Sequence, residues 1–180
     1  ILGDGSRLGV SLEYYYEEEP LGTAGSIRMV KKRPKNFLVM NGDVLTTLDF
    51  GGFLKEHMAN GDAATIATKR REVNIDYGVL VSDRSGRLVR YREKPSIKYS
   101  VSMGVYALSS TLVRYLPKKG RLDMPDLIRT GLEAGLTVRC KQLACYWQDI
   151  GRFDDYERAS ADFLEDPARF VSLKYSADQA

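Results

Sequence analysis

Residues 37–43, with the sequence FLVMNGD, contain four apolar residues followed by a sharp polar stop. An uninterrupted apolar run of this length predicts a strand that is covered on both faces. Residues 50–59 then have a helical pattern that closes at Asn60 and Gly61, and residues 63–68 form a second apolar run. This β-α-β order predicts a parallel sheet and a doubly wound α/β fold.

The remaining elements extend this pattern in both directions. Residues 10–16 alternate large and small side chains and predict a strand, and Thr23 can cap a helix over residues 24–33. Further along the chain, the pattern predicts short β segments at 77–82, 88–93 and 100–108, helices at 110–115 and 124–134, a strand at 137–143, and a last helix starting near Asp154. The short segments predict a small β insertion. No repeat or linker divides residues 1–180, so we expect a single domain.

Composition excludes several classes of protein. The net charge of the 180 residues is only +3, and basic and acidic residues are interleaved, so charge favours no nucleic-acid partner. No apolar run approaches the roughly 20 residues of a membrane span. Cys140 and Cys145 lack the further ligands that zinc would need, so we expect buried free thiols. With no disulfide framework and no leader, the expected location is the cytoplasm.

Two aspartates follow predicted strands. Asp43 ends the first apolar run, and Asp149 comes between the strand at 137–143 and the last helix. Ligands of open α/β sheets bind outside the carboxyl ends of the strands, where two acids can hold one Mg²⁺ together with substrate phosphates. The alternatives remain open, because Asp43 is also compatible with a simple turn and Asp149 with a turn or a helix cap.

Two further motifs are compatible with an anionic substrate. Glu93 and Lys94 precede Pro95, which ends a β segment, so Lys94 could hold a phosphate and Glu93 could accept hydrogen bonds from sugar hydroxyls. A solvated charge pair is the alternative. Leu21 and Gly22 belong to a glycine-bearing turn before a helix, where backbone N–H groups favour anions or base edges, although an ordinary helix start has the same appearance.

The sequence offers few groups for other kinds of catalysis. The only histidine, His57, falls on a predicted helix far from every candidate, and there is no serine elbow or cysteine with an adjacent base. Transfer to a phosphate oxygen that is already ionised needs positioning and charge neutralisation rather than a general base. A site of aspartates, lysine and glycines suffices for that chemistry.

Taken in order, these weak motifs closely resemble the sugar-1-phosphate nucleotidylyltransferases, or nucleotide-sugar pyrophosphorylases. The matching stretches are Gly3-Asp4-Gly5-Ser6, Glu13-Tyr14, Glu19-Pro20-Leu21-Gly22-Thr23-Ala24-Gly25, Asn41-Gly42-Asp43, Asp76-Tyr77-Gly78, Glu93-Lys94-Pro95, Met103-Gly104-Val105-Tyr106 and Trp147-Gln148-Asp149-Ile150-Gly151. The resemblance implies a Rossmann-like mixed, mainly parallel sheet with helices on both faces. It also implies a transferase that couples a nucleoside triphosphate with a sugar 1-phosphate, releases pyrophosphate and uses Mg²⁺.

The resemblance also implies roles for individual residues: Leu21 and Gly22 at the nucleotide base, Asp43 and Asp149 at the metal, Glu93 and Lys94 at the sugar and its phosphate, and Tyr77, Gly78 and Gly104 lining the sugar pocket. Lys94, Asp43 and Asp149 are therefore the expected catalytic residues. The family opens with a glycine-rich loop that cradles the triphosphate, and no such segment occurs in residues 1–180. We therefore expect the domain to be incomplete at its N-terminus and the isolated fragment to be inactive.

Two rival functions are kept. One is a non-catalytic nucleotide-sugar binding or regulatory subunit that lacks the phosphate loop. The other is a metal-dependent glycosyltransferase, which normally presents an Asp-x-Asp pair where this chain has Asn41, Gly42 and Asp43. The sequence leaves open which base and which sugar are used, and it leaves the oligomeric state open, a homo-oligomer included.

Overall fold

The computed structural model describes residues 2–170. Eight strands are present in this part of the chain: β1 (Asn36–Met40), β2 (Val44–Thr46), β3 (Ala64–Asn74), β4 (Val79–Ser82), β5 (Leu88–Arg92), β6 (Ser96–Ser109), β7 (Val138–Gln142) and β8 (Trp147–Asp149). Four of them form the main sheet in the order β1-β6-β3-β7, and the others form two small sheets, β2-β8 and β4-β5.

The main sheet is mixed. Strand β6 pairs antiparallel with both β1 and β3, whereas β3 and β7 are parallel. Strands β1, β3 and β7 therefore point in one direction, and β6 runs against them. The predicted α/β class is confirmed, but β1 and β3 are not hydrogen-bonded to each other. The 14 residues of β6 lie between them: residues 105–109 pair with β1 on one edge, and residues 96–108 pair with β3 on the other.

Helices cover both faces of this sheet. They are α1 (Gly22–Gly25), α2 (Phe50–Asn60), α3 (Ser110–Val113), α4 (Met124–Glu133) and α5 (Phe153–Glu165). Local sequence fixes the limits of α2. The side chain of Asp49 accepts a hydrogen bond from the Gly52 N–H at 2.9 Å, and Gly61 ends the helix in a left-handed conformation.

The alternating side chains of β6 divide the core into two clusters. One cluster contains Tyr106 and Leu108 and packs against residues of α1, α3 and α4, including Ala24, Leu112, Met124 and Leu127. The other cluster contains Met103, Val105 and Ala107 and packs against Phe53 of α2. Because successive strand residues point to opposite faces, β6 alone supplies apolar residues to both.

Two of the predicted elements differ in the structure. Residues 10–16 form no strand, because alternation supplies a pattern but no pairing partner, and no described strand pairs with them. The helix predicted over 24–33 is replaced by α1 and a 3-10 turn, Ser26–Met29. The Arg33 guanidinium donates to the carbonyl of Ile27, which a longer helix would use itself, and Pro34 has no N–H to continue it.

The two cysteines are free, but the expectation that both are buried is wrong. Cys140 is exposed and Cys145 is half-buried. Cys140 lies on β7, an edge strand of the main sheet among the described residues, so part of that strand faces solvent. No helix in residues 2–170 is both long and apolar enough to cross a membrane.

Histidine 57 is fully buried between α2 and β3. Its Nδ1 is 2.9 Å from the Thr65 hydroxyl, and its Nε2 has no hydrogen-bond partner among the described residues. Burial lowers the pKa of His57 below its ordinary value of 6.5, and the nearby charge of Asp62 opposes this effect only in part. The neutral imidazole is therefore the form that the folded core accommodates.

We predict that His57 makes the fold less stable in acid. As the pH falls below about 6.5, the unfolded chain binds a proton before the buried imidazole does, so the free energy of unfolding decreases. Urea unfolding at about pH 7.5 and pH 5.5 should show a smaller acid loss for His57→Leu than for the unchanged chain. Thr65→Val, which keeps the titrating ring, should retain the larger loss. Equal losses in all three proteins would contradict the prediction.

Candidate active site

The two predicted metal-binding aspartates lie on one small ladder. Strand β2 pairs antiparallel with β8, which places Val44 opposite Asp149. One residue further, the Ile150 N–H donates to the carbonyl oxygen of Asp43 at 2.9 Å. Asp43 and Asp149 are 106 residues apart in sequence, yet the ladder makes them neighbours.

Their carboxylates converge beside Gly151. A Cβ added to this glycine would lie 4.0 Å from Oδ2 of Asp43, and 3.9 and 4.0 Å from the two carboxylate oxygens of Asp149. Because all three oxygens lie within 4.0 Å of one point, the two carboxylates are no more than about 8 Å apart. One Mg²⁺ can bridge such a pair directly or through a bound water.

The protein supplies two carboxylates to this place and no larger cluster. Residues 2–170 contain no group of three or more His, Cys, Asp or Glu side chains that could hold a metal. Zinc sites use three or four protein ligands, with nitrogen or sulfur among them, whereas Mg²⁺ is commonly held by one or two carboxylates with waters and substrate phosphates. The donor set therefore fits Mg²⁺ and a phosphate-bearing substrate.

A bulge in β6 brings Gly104 to the same region. Ile66 pairs with Tyr106 and Thr68 pairs with Ser102, so three residues of β6 face one residue of β3. Gly104, at the centre of the bulge, has a φ of +72°, and its carbonyl accepts from the Asn41 N–H at 2.9 Å. A Cβ on Gly104 would lie 2.9 Å from the Asn41 side-chain nitrogen, so the contact requires glycine.

The expected sugar-binding residues form a second group at the β4–β5 hairpin. The Tyr91 hydroxyl donates to Glu93 at 2.8 Å, and this hydrogen bond raises the pKa of Tyr91, with a smaller contribution from burial. Gly78 packs against this pair, since an added Cβ would lie 2.5 Å from the Tyr91 hydroxyl and 3.1 Å from Glu93. Tyr77 is exposed beside it. The structure thus brings Tyr77, Gly78 and Glu93 together.

Lys94 has an unusual backbone. Its φ of +41° makes it the one non-glycine residue among 2–170 in the left-handed region, and it precedes Pro95, which disfavours that conformation further. Strain of this kind costs on the order of 1–3 kcal/mol and persists where surrounding contacts enforce it. Here the Ile75 N–H donates to the Pro95 carbonyl at 3.0 Å. The Lys94 side chain is exposed and makes no hydrogen bond or ion pair with any described residue.

The two groups are joined by the long ribbon of β3 and β6. Eight residues separate Ser96 from Gly104 along β6, which spans about 26 Å in a straight strand. A bulge bends a strand, and the bulge at Gly104 is where this ribbon leaves the main sheet. The structure therefore brings Asp43, Asp149 and Gly104 together, and it places Glu93 and Lys94 at the far end of the ribbon without a direct contact to the aspartates.

The predicted nucleotide-binding turn is hydrogen-bonded to the residues that directly precede α4. The N–H groups of Ala24 and Gly25 donate to the Leu122 carbonyl at 3.0 Å, and the Thr23 N–H donates to Asp123 at 3.1 Å. These three donors are occupied within the chain, so they are not free to bind an anion in this structure. Thr23 does not cap its own helix either, since its hydroxyl accepts from the Met124 N–H at 2.8 Å.

Leu21 and Gly22 also contact the segment that precedes α4. The Leu122 N–H donates to the Leu21 carbonyl at 2.8 Å, and Gly22 has a φ of +80°. A Cβ on Gly22 would lie 2.5 Å from the Leu122 carbonyl oxygen, so only glycine fits this approach. The turn is rigid, and a role for Leu21 and Gly22 at a base remains a prediction.

Sequence reasoning missed Arg71. Its guanidinium lies over the Trp147 ring, 5.2 Å from the ring centroid. Arg71 follows Lys69 and Arg70 in a run of three cations beyond the strand predicted at 63–68. The alternation of β3 was the available signal, because it places residues 69 and 71 on one face and residue 70 on the other.

The sequence comparisons identify the family. A profile described as "Nucleotidyl transferase" matches residues 1–166. The chain belongs to this family. It is 31% identical over 190 residues to a UTP–glucose-1-phosphate uridylyltransferase of Synechocystis, covering 94% of this chain and 49% of the relative. It is 30% identical to a mannose-1-phosphate guanylyltransferase of Mycobacterium tuberculosis, covering 96% and 50%.

The chain thus spans about half the length of these curated relatives. A solved structure of a candidate glucose-1-phosphate thymidylyltransferase from Bacillus anthracis, in complex with sucrose, is similar with a TM-score of 0.65 at 22% identity. That match covers 94% of this chain and 70% of the other, and at this identity it shows the fold alone. The recognised family and the Rossmann-like fold are therefore confirmed.

We predict that Gly104→Ala destabilises the protein more than Gly61→Ala. Both glycines have a positive φ, but the space around Gly61 is open, so alanine there costs only the conformational penalty of about 1 kcal/mol. At Gly104 the new methyl group also displaces Asn41, which should bring the total to about 2–4 kcal/mol. Urea unfolding of the two variants measures this difference. Equal decreases in the free energy of unfolding would show that the Asn41 side chain moves aside at no cost.

Proposed function

We propose that the complete protein is a nucleotidylyltransferase that couples a nucleoside triphosphate with a sugar 1-phosphate and releases pyrophosphate. The observation that carries this proposal is the convergence of Asp43 and Asp149 beside Gly151, at the end of β1. Membership of the nucleotidyl transferase family supports the reaction. The names of the relatives, one acting on glucose 1-phosphate and one on mannose 1-phosphate, support the substrate class.

In this proposal Asp43 and Asp149 hold Mg²⁺. A bound cation would supply positive charge that offsets the charge of the substrate phosphates. The glycine at position 151 leaves open the space onto which the two carboxylates face, since a Cβ there would lie 3.9–4.0 Å from their oxygens. Val44 pairs with Asp149 and the Ile150 N–H donates to the Asp43 carbonyl, so the backbones that carry the two acids are held side by side.

The reaction needs no general base from the protein. A phosphate oxygen of the sugar 1-phosphate attacks the α-phosphorus in line, the bond from that phosphorus to the bridging oxygen breaks, and pyrophosphate leaves. The attacking oxygen is already ionised near neutral pH. His57 is buried between α2 and β3 with Thr65 as its partner, which agrees with a mechanism that does not use it. The residues of the chain then contribute by orienting the substrates and balancing charge.

The hairpin supplies the sugar side of the proposed site. Glu93 accepts from Tyr91 and retains acceptor capacity for sugar hydroxyls, while Gly78, which has no side chain, lets this pair pack against the backbone. Lys94 presents an unpaired ammonium group from a strained turn, which supports a role in holding phosphate. For Lys94 to reach the phosphate near Asp43, the ribbon of β3 and β6 must curve toward the aspartates.

Location and partners complete the proposal. Both cysteines of the sequence are free thiols, which agrees with a reducing compartment such as the cytoplasm. Nucleoside triphosphate and sugar 1-phosphate are the proposed partners, without nucleic acid or membrane. The base, the sugar and the oligomeric state, a homo-oligomer included, are to be determined by assay.

We predict that Asp43→Asn and Asp149→Asn each lower pyrophosphate release by at least about a hundredfold in the complete protein, because each removes a charge from the cation site. The assay uses Mg²⁺, mixed nucleoside triphosphates and candidate sugar 1-phosphates. Asp154→Asn removes an equal charge from the exposed first turn of α5 and should be neutral. Full activity of both site variants would overturn the metal assignment, and no release by the unchanged protein would favour the non-catalytic binding subunit.

We predict that Lys94→Ala raises the Michaelis constant for sugar 1-phosphate or lowers turnover by roughly ten- to a thousandfold, with the triphosphate less affected. A lost charge-assisted contact of about 1.5–3 kcal/mol accounts for a factor of roughly 10 to 160, and misplacement of the substrate would account for a larger loss. Lys98→Ala is the matched control, because Lys98 is an exposed cation of β6 that already faces Glu72. Unchanged kinetic constants for both substrates would indicate that Lys94 is only a solvated surface charge.

We predict that residues 1–180 by themselves release no pyrophosphate. They contain no glycine-rich loop to position a triphosphate, and β1 pairs on one side only among the described residues. An apolar strand edge is normally covered, which supports a contribution from further chain. The assay is run on a preparation whose measured mass is near 20.2 kDa. Clear turnover by that preparation would contradict the prediction.

A further inference from the structure

Arg71 and Trp147 form a rigid shelf beside the proposed site. The indole N–H of Trp147 donates to the Met103 carbonyl at 2.9 Å, which fixes the plane of the ring. The Arg71 guanidinium lies over that ring at 5.2 Å from its centroid. On the same face of β3, Lys69 donates to the Cys145 carbonyl at 2.6 Å, so this part of β3 is tied to the segment that leads into β8.

The hydrogen-bonding groups of Arg71 are unused. Its contact with Trp147 engages the face of the guanidinium, and no described residue forms a hydrogen bond or ion pair with its N–H groups. Arg139 differs in this respect, since its guanidinium is paired with Asp62. A stacked guanidinium keeps its donors in its own plane, where they can bind two oxygens of a phosphate at once.

The shelf faces the same region as the carboxylates. Trp147 and Asp149 are alternate residues of β8, so their side chains leave the same face of the strand, about 7 Å apart. The Arg71 guanidinium, stacked on Trp147, therefore lies on the side of β8 from which the Asp149 side chain leaves. Two carboxylates alone would repel such a ligand, so a nearby fixed cation has a clear electrostatic use.

We infer that Arg71 is an anion-binding residue of this site and that it holds phosphate oxygens of a substrate. This inference rests on the proposed function, because it assumes that the reaction takes place beside Asp43 and Asp149. The shared chemistry is a phosphate with at least two free oxygens, which either the sugar 1-phosphate or the triphosphate supplies. Trp147 acts through Arg71: it holds the guanidinium in place and so reduces the entropy lost on binding.

The test is direct binding of anions to the 180-residue chain. Trp147 is its only tryptophan, so its emission reports on the shelf, and calorimetry follows binding independently of that signal. The probes are glucose 1-phosphate, mannose 1-phosphate and pyrophosphate, each with and without Mg²⁺. Weakening confined to the sugar phosphates assigns Arg71 to the sugar side, and weakening confined to pyrophosphate assigns it to the triphosphate.

Arg71→Gln should weaken binding of at least one probe by about tenfold or more, as expected for a lost charge-assisted contact. Arg71→Lys keeps the charge but loses the paired donors of the guanidinium. Its dissociation constants should lie between those of the unchanged chain and those of Arg71→Gln. The matched control is Arg70→Gln, which removes the same charge from an equally exposed arginine on the opposite face of β3 and should bind as the unchanged chain does. Circular dichroism of each variant establishes that it is folded.

Two outcomes would overturn the inference. If Arg71→Gln alters Trp147 emission but leaves every dissociation constant unchanged, the stack is structural only. If the unchanged chain binds none of the probes at millimolar concentration, the shelf is not an anion site. Either result leaves the pyrophosphate-release assay on the complete protein unaffected, so failure here is distinguishable from failure of the proposed function.

Discussion

Two neighbouring carbonyl groups in the bulge of β6 hold both segments that carry the converging carboxylates. The Gly104 carbonyl accepts from the Asn41 N–H, which fixes the chain just before Asp43. The Met103 carbonyl accepts from the Trp147 side chain, which fixes β8 just before Asp149. In a regular strand, neighbouring carbonyls point in opposite directions toward the adjacent strands. The Asn41 contact continues the β1–β6 pairing past Met40 and Val105, whereas the Met103 carbonyl, in the bulge, accepts from a side chain. The positions of both carboxylate-bearing segments follow from these two contacts.

The sequence predicted the parts of this arrangement that depend on local pattern. The apolar run before Asp43 marked a strand end, and the rule that ligands bind at strand ends suggested that Asp149 would lie nearby. The positions of several turns could be predicted in the same way, because glycine, aspartate and proline mark turns through their own backbone preferences. Asp49 and Gly61, at the two ends of α2, are positions where local chemistry alone sets the structure.

Other features could not be predicted because they depend on distant partners. Nothing near residues 37–40 indicates that their partner strand is β6 and not β3. Nothing near Thr23 indicates that its hydroxyl caps α4, 101 residues away. The alternation at 10–16 is a strand pattern without a partner in the described chain, and Arg71 gained its role only once Trp147 lay beneath it. In each case the missing information is the identity of a group far along the chain.

The position of β6 also governs the order in which the molecule can assemble. Asn36 at the start of β1 pairs with Ser109, 73 residues later, so the partner that β1 has among the described strands is not available until β6 has been made. At typical rates of protein synthesis this wait is on the order of ten seconds. During that interval the apolar residues of β1 are open to other chains, and contacts of such long range close slowly. Synthesis of β6 thus ends the interval in which β1 is exposed to aggregation without this partner.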